Sequence, residues 1–174
     1  MKWIQAALIG ALGSLLMFIL MMTSIHGLQA APFNQPPSAA FLDMLGMKIG
    51  PLPLLVHFGY GIFWSLALVG VFQERTTLMK GLGLATALWL FMMLVYSPLI
   101  GWGVFGIGGS GHQLNPSDPL YIGSSMKYII ATFVLHLIYG ATIGGLNAWL
   151  INFKSSEETQ TETAQHWQST QNPA

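Results

Sequence analysis

The stretch PLPLLVHFGYGIFWSLALVGVFQ, residues 51–73, runs without one charged side chain. A hydrocarbon core about 30 Å thick takes roughly 20 apolar residues in helical form, so this stretch reads as a membrane-crossing helix. Residues 3–25, 81–101 and 128–151 meet the same requirement, and all twelve charged residues lie outside the four stretches. The expected fold is all-α, a four-transmembrane-helix bundle over residues 1–152. A polar tail, 153–174, dominated by Glu, Thr, Gln and Ser, is expected to be disordered.

The composition agrees. Of 174 residues, 53% are hydrophobic and 7% charged, where soluble domains carry about a quarter charged residues. Six basic and six acidic side chains cancel, which leaves no basic surface for nucleic acid. The lack of cysteine excludes disulfide frameworks, thiol catalysis, iron–sulfur clusters and thiolate zinc sites. The partner expected first is the lipid bilayer, then a membrane-protein partner or a second copy of the chain.

Orientation follows from Lys and Arg at the span ends. Lys2, Arg75, Lys80 and Lys154 fall on one side, and Lys48 and Lys127 on the other, so both termini are expected in the cytoplasm. Trp3, Trp102, Tyr121, Tyr128 and Trp149 lie near span ends, where amphipathic rings favour the headgroup level. The apolar run from Trp3 to Met22 exceeds the 7 to 15 residues of a signal-peptide core, and the first helix is expected to be retained.

The connection on the far side, residues 26–50, begins with the Pro-rich APFNQPP, which cannot be regular helix, and its second half, from Ala39, reads as a short interfacial helix. Glu74 to Thr77 is a tight link, predicting an antiparallel hairpin of the second and third spans. The Gly-rich connection from Gly101 to Pro116 is expected to be flexible or built on close backbone approach.

The chain also resembles itself. At a shift of 79 residues Met47-Lys48 falls on Met126-Lys127, His57 on His136, Tyr60 on Tyr139 and Gly61 on Gly140. Two two-helix units would each return the chain to its starting side, so they run parallel about an axis along the membrane normal. His57 and His136 are then expected at one depth, each about 13 Å along its helix from Lys48 or Lys127. Gly61 with Ser65, Gly140 with Gly144, the series Ala6-Gly10-Ser14, and Gly83 with Ala87 have the spacing of small-residue contacts that let membrane helices approach.

A Gly-rich first span, a Pro-containing loop, His57-x-x-Tyr60-Gly61, Trp89-Leu-Phe-Met-Met followed by Pro98-Leu99-Ile100-Gly101-Trp102-Gly103, and His136-Leu-Ile-Tyr139-Gly140 together resemble a family of small bacterial four-helix membrane proteins of unknown function. The resemblance covers most of residues 1 to 152. It implies the same fold and a place in the bacterial inner membrane, and it brings no activity with it.

Ionisable groups inside a membrane are default functional candidates, and the spans hold two, His57 and His136. Hydrogen bonding to Ser, Tyr or a backbone carbonyl would make them packing residues. The sharper reading makes them the two axial ligands of a haem b, with Gly61, Gly140 and Gly59 admitting the macrocycle, Lys48 and Lys127 pairing with propionates, and Tyr60 and Tyr139 bonding to a ligand or propionate. A zinc or copper site lacks the remaining ligands, and the methionines read as packing. His26 and His112 could join an external metal site, while His166 belongs to the tail.

No Asp or Glu lies in a span to relay protons, which argues against a pump. Ser24, Ser65 and Ser97 have no evident His–carboxylate partners, so the chain is not expected to be an enzyme. Asn147 reads as glue between helices, and Pro98 as a kink. Two functions remain in view: a structural or accessory subunit of a membrane complex, and a bis-histidine haem-b electron carrier.

Overall fold

The computed structural model describes residues 2–28, 30–47, 50–107 and 110–171, the side chains of 110–111 and 151–171 excepted. The chain is all-α, with helices α1 (Lys2–Met22), α2 (Pro37–Met44), α3 (Leu52–Phe72), α4 (Leu78–Phe91) and α5 (Ser125–Gln171). Four helical stretches are long and apolar enough to cross a membrane: Lys2–Gly27, Leu52–Arg75, Leu78–Leu99 and Ser125–Leu150. They match the stretches read from the sequence to within three residues at each end. Between 22% and 33% of the apolar window of each is buried inside the protein, so most of the apolar surface faces outward, an arrangement that suits lipid and not water.

Helix α5 continues to Gln171, whereas the sequence predicts the chain to leave helical structure near Phe153. Residues 154–171 contain neither Gly nor Pro, so nothing in the local chemistry breaks the hydrogen-bond ladder that the span has already nucleated. Thr77 caps the start of α4, its hydroxyl accepting from the Lys80 amide at 3.3 Å. Both α1 and α4 end in π-helical turns, Thr23–Gly27 and Met92–Tyr96. The second immediately precedes Ser97–Leu99, where Pro98 has no amide hydrogen to return to the preceding turn.

Small residues decide which helices meet. On α1, a Cβ added to Gly10 would lie 2.8 Å from the Gly61 carbonyl oxygen and from Ser65 Cβ on α3. On α5, a Cβ added to Gly144 would lie 2.9 Å from Gly81 Cα on α4, and one on Gly140 would run into Ala85. The working pair on α4 is therefore Gly81 with Ala85; Gly83, expected at a contact with Ala87, faces open space. Helix α1 also packs on α5, where Tyr139 lies over Gly13, 3.0 Å from the position its Cβ would take.

Ser65 and Asn147 tie three of the helices together. The Ser65 hydroxyl donates to the Ala6 carbonyl at 2.7 Å, and Asn147 Nδ2 donates to Ser65 Oγ at 3.2 Å and to the Ile143 carbonyl at 2.7 Å. Asn147 is buried and bridges helices, as the sequence predicts.

The predicted hairpin of α3 and α4 does not form as a packed pair. Although joined by a short link, the two scarcely touch: α3 lies on α1, α4 lies on α5, and α1 and α5 join the two halves. The small faces of α3 and α4 are each spent on another helix, which leaves a seam between them.

The end of the bundle opposite the termini carries a folded cap. The short helix α2 forms where an interfacial helix is predicted, with Pro37 as its first residue. Phe33 pairs with Ile122 in an isolated antiparallel bridge, and the Gly123 amide donates to the Pro32 carbonyl at 2.7 Å. Trp102 stacks on Phe33 at 5.9 Å between centroids, meets Tyr128 edge-on at 5.3 Å, and donates from Nε1 to the Leu120 carbonyl at 2.9 Å. Trp102 and Tyr128 are fully buried, not at a headgroup surface, while Trp3 and Trp149 are exposed as expected. The Gly-rich connection is thus an ordered wrap around Trp102 over its described part, with Gly101, Gly103 and Gly106 at φ of 84°, 72° and 67°, where a Cβ would be strained.

Candidate functional site

Beneath the cap, α1, α3, α4 and α5 surround a cavity of about 150 Å³, lined from both sides of the α3–α4 seam by Val56, His57 and Tyr60 on α3 and by Phe91 at the end of α4. Its walls are almost wholly apolar: Met17 and Met21 of α1, Phe91 and Met92 at the end of α4, and Leu135 of α5, with Phe33 and Pro37 of the cap as a roof. His57 from α3 and His136 from α5 both line it. The two imidazoles singled out by the sequence therefore reach one space, although their helices scarcely touch each other.

Their hydrogen bonds differ. His136 is 5% exposed, and its Nδ1 lies 2.8 Å from the Thr132 carbonyl one turn back on its own helix. His57 is half-buried, and its Nε2 lies 3.0 Å from the Ser14 carbonyl of α1. Its ring also tilts against Phe18, 5.7 Å away. A carbonyl oxygen only accepts, so each of these nitrogens carries the hydrogen, and in the neutral ring the other nitrogen is a bare acceptor. For His136 that acceptor is Nε2, to which no side chain or backbone group among the described residues donates.

The remaining predicted residues divide. Tyr60 and Tyr139 both line the cavity, but only Tyr139 is buried, its hydroxyl donating to the Gly61 carbonyl at 2.5 Å. Tyr60 is 44% exposed and packs edge-on against Trp64. The space above Gly61 is filled by Ser14 and that above Gly140 by Ala85 and Gly81. These two glycines serve helix contact and do not open a slot for a macrocycle, and Gly140 is not part of the cavity wall. Gly59 is exposed. Lys127 is exposed at the start of α5 and does not line the cavity, and Lys48 lies outside the described residues.

Three further residues shape the site. Thr132 supplies the carbonyl that orients His136, and its hydroxyl accepts from Trp89 Nε1 at 3.2 Å. Tyr96 lines the cavity and donates to the Pro37 carbonyl at 2.6 Å, holding the roof to α4. Ser14 supplies the carbonyl that holds His57. Thr132 was legible as the residue one turn before His136. Nothing in the sequence brings Tyr96 to Pro37, 59 residues away.

His112, a candidate for an external metal site, instead closes the loop: its Nε2 lies 2.8 Å from the Gly106 carbonyl and 3.0 Å from Ser125 Oγ. Among the described residues no three His, Asp or Glu side chains gather as metal ligands. The chain matches no protein-family model, and no curated protein and no solved structure matches it.

Proposed function

We propose that the protein is an accessory component of the bacterial inner membrane, with both termini in the cytoplasm and no catalysis of its own, that holds a small bilayer-soluble molecule in the cavity among its four spans. The carrying observation is the cavity: apolar walls and two oriented histidines, beside a seam where α3 and α4 scarcely touch. Such a pocket, mostly apolar with a few placed polar groups, is the form that small-ligand sites take. The charge bias at the span ends and the resemblance to small bacterial four-helix proteins support the location and orientation.

The two-unit repeat gains support from Gly61 and Gly140, which both make the close contact with the span before their own. The test is copurification. Mass spectrometry of extracts from the detergent-purified protein should find a small molecule that is depleted in Val56→Trp, since Val56 lines the cavity and a larger ring there competes for its volume. An unchanged complement in the folded variant removes the reading.

The haem-b alternative is favoured by one observation: His57 and His136 line the same space, and His136 has the arrangement of a metal-ligating imidazole, Nδ1–H held by a carbonyl and Nε2 free. Three features fit it less well. His57 has its Nε2 on Ser14, the glycine faces are occupied by neighbouring helices, and about 150 Å³ holds one benzene-sized ring, so α3 and α4 would have to part around a macrocycle. A reduced-minus-oxidised haem-b spectrum lost on either His57→Ala or His136→Ala would establish the carrier, and a flat spectrum of folded protein from haem-replete cells would exclude it.

A further inference from the structure

Resting on the reading of the cavity as a ligand site, we infer that its ligand class is a membrane quinol: an aromatic ring bearing a hydroxyl, seated in the cavity with the hydroxyl donating to His136 Nε2 and an apolar tail leaving through the α3–α4 seam. Size comes first. A cavity of about 150 Å³ matches the volume that one benzene ring fills in a protein interior, and it is far below the several hundred Å³ of sites that enclose larger ligands.

The walls select the same shape. Phe33 and Phe91 offer ring faces and edges, and Met17, Met21 and Met92 offer polarisable sulfur, the surfaces that best receive a flat aromatic group. The seam then accounts for the rest of the molecule. Because α3 and α4 scarcely touch, an apolar tail can pass between them into the surrounding hydrocarbon without displacing a helix contact.

The polar group decides the chemistry. His136 is 5% exposed and is tied through Nδ1–H to the Thr132 carbonyl, so its Nε2 presents a lone pair and no hydrogen to the cavity. An acceptor at the wall of an apolar cavity has no protein donor to replace the hydrogen bond it had in water, and a ligand hydroxyl supplies one. A quinone carbonyl cannot, since it would set one lone pair against another. Of the hydroxyls lining the cavity, Tyr139 donates to Gly61, Tyr96 to Pro37 and Thr132 to Tyr128, and none among the described residues donates to His136 Nε2. At His136 the reduced form is therefore preferred, and the same argument ranks an aryl ether with the quinone.

Native mass spectrometry of the detergent-solubilised full chain, under anaerobic conditions, would compare decyl para-benzoquinol with its dimethyl ether and with the oxidised quinone. One hydrogen bond to a buried acceptor predicts about tenfold stronger binding of the quinol than of either other probe. In His136→Phe, which keeps a ring and removes the acceptor, the three should bind alike. Equal binding of all three to the wild type overturns the quinol inference while leaving the cavity reading in place. A quinol preference that survives in folded His136→Phe overturns the role given to His136. If no probe binds, the quinol inference falls, and depletion or retention of the copurifying molecule in Val56→Trp decides the cavity reading separately. The wild-type comparison requires no variant to fold.

Discussion

At the scale of single residues, Gly140 and Gly83 make opposite predictions from the same chemistry. A Cβ on Gly140 would meet Ala85 and the backbone of Gly81, whereas one on Gly83 would meet nothing within 4 Å. Gly140→Val forces α4 and α5 apart and should destabilise the fold by about 3 kcal/mol, the upper range for overpacking. Gly83→Ala should be neutral or stabilise by up to about 1 kcal/mol through helix propensity. Thermal unfolding of both variants in one detergent checks the pair, and a smaller loss for Gly140→Val than for Gly83→Ala would refute the packing assignment. Asn147→Leu removes the bridge to Ser65 and should cost about 1 kcal/mol, in line with hydrogen bonds between membrane helices, read by the same melt. The spacing of small residues was legible in the sequence, but Gly81 and Gly83 both fit a four-residue step with an alanine, and only the partner helix selects between them.

At the scale of elements, the far-side cap and the α3–α4 seam are what pairwise contacts across long sequence distance create. Trp102 is a residue whose position near a span end predicted a headgroup anchor, and whose burial comes from Phe33 and Tyr128 instead. A local reading sees a Gly-rich run and expects mobility; the positive φ angles of Gly101, Gly103 and Gly106 are what allow the chain to close around that ring. Trp102→Ala should cost about 3–5 kcal/mol as a large buried aromatic, and it should open the cap before the bundle. Limited proteolysis would then cut near Tyr121 at a protease level that leaves the wild type intact, with α1 and α3 still protected. Simultaneous loss of the whole fold would contradict a cap that opens before the bundle. The seam was invisible for the same reason: a short link such as Glu74 to Thr77 fixes where α3 ends and α4 begins, but not whether their faces match.

At the scale of the whole molecule, the spans were readable because charge is excluded from hydrocarbon wherever it lacks a partner, and that rule needs no tertiary information. His57 and His136 could be named for the same reason, while their hydrogen bonds and their shared cavity depend on how four helices are arranged. The charge bias of Lys2, Arg75, Lys80 and Lys154 against Lys48 and Lys127 predicts Glu74 inside and Gln113 outside. The chain offers a direct test because it has no cysteine, and both positions are exposed. A membrane-impermeant maleimide should label Gln113→Cys in intact spheroplasts and reach Glu74→Cys only after permeabilisation. The reverse pattern would put the cap and the roof of the cavity on the cytoplasmic side, and equal labelling of both would mean that the charge bias does not fix one orientation.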